Sequence, residues 1–306
     1  MTWTNDISQQ NSKRAIVTGT GGLGYEIALA LAGVGAEVIL AGRNEQKGRA
    51  SITSILQKYP NAKVRFSLLD LASLASVRAF SDRLLSENKP IHLLINNAGV
   101  MSPPTRQTTA DGFELQFGVN YLGHFALTAR LLPLLIQSKA PRVVNVSSLA
   151  HRSNKINFTN LQAERKYRAF ACYGQSKLAM LMFAFELQRR SDENGWGLIS
   201  TASHPGFART DLVFNGPGVR SLTGKLYMFM RRFLSHSAAD GALVTLFAAT
   251  SPHAERAGYY GPSGFFEMRG PAKLAHVARH AKDVSIARKL WEISVDLAGV
   301  SWPGKA

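Results

Sequence analysis

Only one cysteine, Cys172, occurs in the 306 residues, so no internal disulfide is possible and nothing here calls for an oxidising compartment. Long apolar runs are missing too. The longest, such as Leu178 to Leu187, falls short of the roughly 18 to 20 residues that a membrane-spanning helix needs. Residues 1–12 are polar and lack the basic start and apolar stretch of a secretory signal, so they read as a flexible N-terminal tail. A cytoplasmic location is the resulting expectation. Acidic side chains are scarce: 20 Asp and Glu stand against 36 Lys and Arg, a formal net charge of +16. The excess is spread thinly along the chain, without a basic block and without the cysteine and histidine spacing of a zinc site. No nucleic-acid partner and no metal are therefore expected, and the charge suits anionic cofactors and substrates.

What is present is an alternation. Hydrophobic residues make up 45% of the chain, enough for one large core. Short apolar runs read as strands at Ala15 to Val17, Glu37 to Ala41, Val64 to Leu69, His92 to Asn96, Arg142 to Ser147 and Leu198 to Ser203. Segments with helical apolar spacing separate them, among them Tyr25 to Ala32 and Tyr173 to Arg190. That rhythm predicts an α/β fold: a single Rossmann domain over residues 13–306, with a doubly wound parallel sheet flanked by helices on both faces. The stretches 215–221 and Tyr259 to Pro271, rich in glycine and proline, read as loops. In such sheets ligands lie at the carboxyl ends of the strands.

Three features stand at those ends. After the first strand comes Thr18-Gly19-Thr20-Gly21-Gly22-Leu23-Gly24, a turn that lets backbone approach a pyrophosphate and places it at a helix N-terminus. After the second strand, where an acid would hold a ribose 2′-hydroxyl, stand Arg43 and Asn44 instead. An arginine there accommodates a 2′-phosphate, which predicts NADP, with NADPH preferred over NADH. Ser148 follows the fifth strand, and Tyr173 and Lys177 are spaced to share one helical face. A lysine ammonium beside a phenol favours the phenolate, making tyrosine a usable proton donor and acceptor.

With these motifs in order, the chain resembles the short-chain dehydrogenase/reductase superfamily, and within it the branch of retinol dehydrogenases, WW-domain oxidoreductase and protochlorophyllide reductase. The likeness is carried by the glycine turn, Leu69-Asp70-Leu71, Leu94-Ile95-Asn96-Asn97-Ala98-Gly99-Val100-Met101, the stretch from Asp111 to Phe125, Val144 to Ser148, Tyr173-Gly174-Gln175-Ser176-Lys177 and His204-Pro205-Gly206. It implies an NADP-dependent oxidoreductase that moves a hydride between the nicotinamide and a carbonyl or alcohol. Tyr173 would be the acid and base, Ser148 would bind the substrate oxygen, Lys177 would bind the nicotinamide ribose and tune Tyr173, and Asn120 would hold a water. Cofactor contacts are implied at Gly19, Gly21, Gly22, Leu23, Gly24, Arg43, Asn44, Asp70, Leu71, Asn97, Ala98, Gly99, Tyr173, Lys177, Pro205, Gly206 and Thr210.

One departure is the glycine turn, where Gly19 and Gly22 enclose two residues and the family usually has three. Altered phosphate contacts are expected. The substrate walls are assigned to loops at 207–236 and 259–271. From Phe207 to Leu234 the spacing of Leu226, Phe229, Met230 and Phe233 makes an apolar stripe, read as a lid over an apolar pocket and hence a lipophilic substrate. Ordinary core gives the same stripe, and with Lys225, Arg231 and Arg232 it also fits a membrane surface. Two further alternatives are a non-catalytic NADP-binding sensor or scaffold, and a homo-oligomer using the apolar face of the Tyr173 helix.

Overall fold

The structure, a computed structural model, describes residues 7–207 and 236–304. Among them eight strands form one sheet in the order β3-β2-β1-β4-β5-β6-β7-β8. The strands are β1 (Arg14–Thr18), β2 (Glu37–Gly42), β3 (Val64–Leu68), β4 (Leu93–Asn96), β5 (Arg142–Val146), β6 (Ile199–Ser203), β7 (Tyr259–Pro262) and β8 (Ala272–Leu274). All pairings from β3 to β7 are parallel, and β8 runs antiparallel to β7. The stretch Tyr259 to Pro271, expected as a loop, is thus corrected to a strand and the turn of a hairpin. Its turn signals are genuine, but the free edge of β6 supplies pairing to Tyr259 and Tyr260 that local sequence does not advertise.

Two cores flank the sheet. Helices α1 (Leu23–Gly33), α2 (Glu45–Lys58) and α6 (Ala238–Thr250) cover one face, where Ile27, Leu31, Ile55 and Val244 are buried against Val17, Val38 and Val144. On the other face lie α3 (Leu74–Glu87), α4 (Gly123–Leu135), α5 (Ala169–Asn194) and α7 (Val284–Ala298). Phe80, Phe125, Phe183 and Trp291 are buried there. Covering both faces explains why the middles of β1 and β4, Ala15 to Val17 and Leu93 to Ile95, read as unbroken apolar runs. The looseness expected of the N-terminal tail does not extend to Gln10, which is buried with its N–H bonded to Val34 O at 2.8 Å.

The strand order reverses between β1 and β4, the position where open α/β sheets form a crevice. Around it the segments following β1, β2, β3, β4, β5 and β6 all emerge on one rim of the sheet.

Candidate active site

The glycine turn fits its shortened length by close packing. Gly19 adopts φ +96°, and a Cβ there would come within 2.9 Å of Asn97 Nδ2; a Cβ at Gly24 would lie 2.1 Å from Gly19 O. These two positions need glycine. At Gly21, by contrast, a Cβ would meet nothing within 4 Å, so this part of the turn faces open space. Side chains cap the first turns of α2, α3, α6 and α7, whereas α1, which follows its N-cap Gly22, has none, as is also true of α4 and α5. The N-terminus of α1 follows β1 on the rim, where an anion can meet its positive end, although Gly24 N already donates to Gly21 O at 3.1 Å.

Thr18 joins this turn to the end of β4. His124 Nδ1 lies 2.9 Å from Asn120 O, a contact that requires the ring proton on Nδ1. Burial pushes the His124 pKa down to about 3, so the ring is neutral and Nε2 is an acceptor. The Thr18 hydroxyl, 2.9 Å away, therefore donates to Nε2. Its oxygen accepts from the N–H groups of Asn97 at 2.9 Å and Ala98 at 3.0 Å. Asn97 Nδ2 donates in turn to Thr18 O at 2.7 Å. Both Thr18 and His124 lie inside the quoted motifs without being singled out there, because their side chains meet across 106 residues of sequence.

Arg43 is exposed just beyond β2, while the Asn44 side chain caps α2 by accepting from Lys47 N at 2.9 Å. Asp70 Oδ1 accepts from Ala72 N at 2.9 Å, shaping the turn after β3, and Leu71 is buried against α4. Asn44 and Asp70 thus each have a structural task beside any ligand contact.

Asn120 lies in a π-helical turn, Phe117–Leu122, which runs directly into α4. Its Nδ2 donates to Val100 O at 3.0 Å and Ser176 Oγ at 2.8 Å, and its Oδ1 accepts from Val100 N at 2.7 Å. The side chain clamps the segment after β4 onto α5. Lys177 and Tyr173 share a face of that helix, with Lys177 Nζ 5.9 Å from the centre of the Tyr173 ring. Nζ donates to Val146 O at 2.9 Å, and burial lowers the Lys177 pKa to about 8. A Cβ at Gly99 would sit 3.0 Å from Asn120 Oδ1 and 3.5 Å from Lys177 Nζ, so Asn120, Gly99 and Lys177 meet at one point. Ser147 donates to Lys177 O at 2.7 Å, fixing α5 to the end of β5. Ser148, half-buried, starts a short helical turn in which Ala150 N donates to its hydroxyl at 3.2 Å.

Pro205 and Gly206 follow β6. His236 Nε2 lies 2.7 Å from Pro205 O, and Gly206 N donates to His204 Nδ1 at 3.2 Å. The His204 ring therefore carries its proton on Nε2, which donates to Glu267 at 3.0 Å. Arg152 pairs with the same carboxylate. Burial alone would raise the Glu267 pKa, but the hydrogen bonds from His204 and His276 N and the Arg152 charge outweigh it and hold it at about 2. His204 was legible only as part of a motif, and Glu267 lay in a segment read as a loop. Thr210 and the proposed lid lie outside the described residues, apart from Phe207, whose N–H donates to Met268 O at 2.9 Å.

A doubly wound sheet with these groups on one rim defines a dinucleotide-fold protein with a tyrosine and lysine site. A family model described as short chain dehydrogenase matches residues 13–215. Retinol dehydrogenase 12 of Mus musculus is 39% identical over 291 residues, covering 95% of this chain and 87% of its own. Polyprenol dehydrogenase of Danio rerio is 37% identical over 300 residues, covering 96% and 89%. The crystal structure of an uncharacterised protein from Mycobacterium Paratuberculosis superposes with a TM-score of 0.82 at 36% identity, covering 99% of this chain and 100% of its own. The chain belongs to the short-chain dehydrogenase/reductase family of oxidoreductases, in the retinol dehydrogenase branch.

Proposed function

We propose that the protein is an NADP(H)-dependent dehydrogenase/reductase acting on a lipophilic alcohol or carbonyl compound. The observation that carries this is the meeting of Asn120, Gly99 and buried Lys177 one helical turn from Tyr173, beside the end of β5 where Ser148 begins. The residues fit the cofactor: Gly21 opens onto free space, Arg43 is exposed, and neither Arg43 nor Asn44 is a carboxylate that would repel a 2′-phosphate. A bound nicotinamide supplies or takes up the hydride. In the reducing direction Tyr173 gives its phenolic proton to the carbonyl oxygen while the Ser148 hydroxyl hydrogen-bonds that oxygen. In the oxidising direction Tyr173 takes the proton back from the alcohol. Lys177, when protonated, eases the phenolate that forms.

A lipophilic substrate is supported by the names of the relatives, dehydrogenases of retinol and of polyprenol, both apolar alcohols. Phe170 supports it as well: 54% exposed, its ring centre is 6.3 Å from that of Tyr173, an apolar surface beside the reacting group. The test is NADPH consumption against a panel of aldehydes, aliphatic and aromatic ketones, steroids and quinones. Turnover of bulky apolar members over small polar ones is expected; the opposite order overturns the substrate class, and no turnover of any member overturns the activity.

A further inference from the structure

The turn between β7 and β8 carries two adjacent phenylalanines in solvent, Phe265 at 74% and Phe266 at 66% exposure, with ring centres 4.3 Å apart. The backbone that presents them is strained: Phe266 has φ 48° and Glu267 φ 59°, in the left-handed region that side chains with a Cβ avoid. The strain persists because Glu267 is held by His204 at 3.0 Å, by His276 N at 2.9 Å and by Arg152. Met268 O and Gly264 N add bonds to Phe207 N and Arg269 O, at 2.9 Å each. Two aromatic side chains are thus fixed outward on a braced turn. The exposed charges that follow, Arg269, Lys273, Arg279 and Lys282, are positive, and the first exposed acid after them is Asp283, which caps α7. The one acid from 263 to 282, Glu267, is already paired with Arg152.

We propose that this turn docks the protein on an anionic lipid surface, Phe265 and Phe266 entering the headgroup and acyl boundary while Arg269 and Lys273 meet lipid phosphates or carboxylates. Two phenylalanines offer about 300 to 500 Å², well short of the roughly 800 Å² per partner of a stable protein interface. Insertion into a fluid bilayer needs no matching partner surface, and it gains from adjacent basic residues. The turn is bonded to His204 and Phe207, on the rim that carries Ser148 and Gly206, so a docked molecule turns its candidate site toward the lipid.

The inference does not depend on the dehydrogenase reading, because vesicle binding is measured without turnover. The full chain should sediment with vesicles of phosphatidylcholine and phosphatidylserine more than with phosphatidylcholine alone. Phe265→Ser with Phe266→Ser, both at exposed positions, should weaken this by at least about tenfold with an unchanged melting temperature. Arg269→Glu with Lys273→Glu should weaken it on the anionic vesicles. A protein that stays in the supernatant with both lipids, or a double serine variant that binds like the parent, overturns the proposal. Retained binding by the charge variant overturns the choice of an anionic surface. Loss of self-association in the serine variant, with no vesicle binding by the parent, assigns the turn to a second copy of this chain instead.

Discussion

Glu267 and His204 stand 63 residues apart in the chain, yet His204 Nε2 donates to Glu267 Oε2 at 3.0 Å. Because His204 Nδ1 also accepts from Gly206 N, one imidazole ties the hairpin turn to the segment after β6. Burial lowers the His204 pKa, which keeps the ring neutral in this role.

Glu267→Gln removes the charge that Arg152 and His204 share. A loss of about 1.5 to 3 kcal/mol in stability is expected near neutral pH, the range for a hydrogen bond to a charged group. The Glu267 carboxyl is depressed from 4.5 to about 2 by folding. Its contribution is therefore fully present above about 4.5 and lost as the pH falls through about 2. Denaturant titrations of both proteins across this window should show their difference shrinking; a difference independent of pH would rule out the ionised pair as its source.

Tyr173→Phe should leave the NADPH dissociation constant near that of the parent and lower turnover by at least about 100-fold. Fluorescence titration and steady-state rates on one authentic substrate separate the two effects. More than about a tenth of the parent turnover in this variant would place the proton donor elsewhere.

NADPH should bind at least about tenfold tighter than NADH, a margin of roughly 1.4 kcal/mol that one charge-assisted contact can supply. Arg43→Asp should narrow or invert the preference. Since Arg43 is exposed, its replacement should leave the melting temperature nearly unchanged. Equal constants for the two cofactors in the parent protein would defeat the role given to Arg43.

Thr18→Val leaves His124 Nε2 and the N–H groups of Asn97 and Ala98 without the hydroxyl they share. Asn97 N keeps its bond to Ile95 O at 3.0 Å, so His124 Nε2 and Ala98 N are the groups left without a partner, and at about 1 to 3 kcal/mol each a total loss of a few kcal/mol is expected. Thr18→Ser, which keeps the hydroxyl, should recover most of it. Urea unfolding of the pair makes the comparison, and a loss in Ser with none in Val would show that the methyl group, not the hydroxyl, matters.

Much of this fold was legible in the sequence because both faces of the sheet are covered. Strands such as Ala15 to Val17 and Leu93 to Ile95 are then apolar throughout and stand out from their surroundings. The β7–β8 hairpin was not legible: Pro262, Gly264, Gly270 and Pro271 are turn formers, and pairing to β6 and β8 decides the conformation there. Tyr173, Lys177 and Asn120 could be found because motifs and helical spacing mark them. Glu267, His124 and Thr18 follow no periodicity. Their partners are set by tautomer and burial, quantities that exist only once the chain has folded.

The π turn at Phe117–Leu122 has a consequence for the length of the chain itself. Such a turn is an α-helix holding one residue too many, so removing Tyr121 or Leu122 would regularise the backbone hydrogen bonds. The same deletion would swing everything before it by about 100° relative to α4, the rotation of one residue in an α-helix. Asn120 could not then face Val100 and Ser176 while His124 still reached Thr18. The segment is held to its residue count by the alignment of two side chains, and a shorter, more regular helix would be the wrong one.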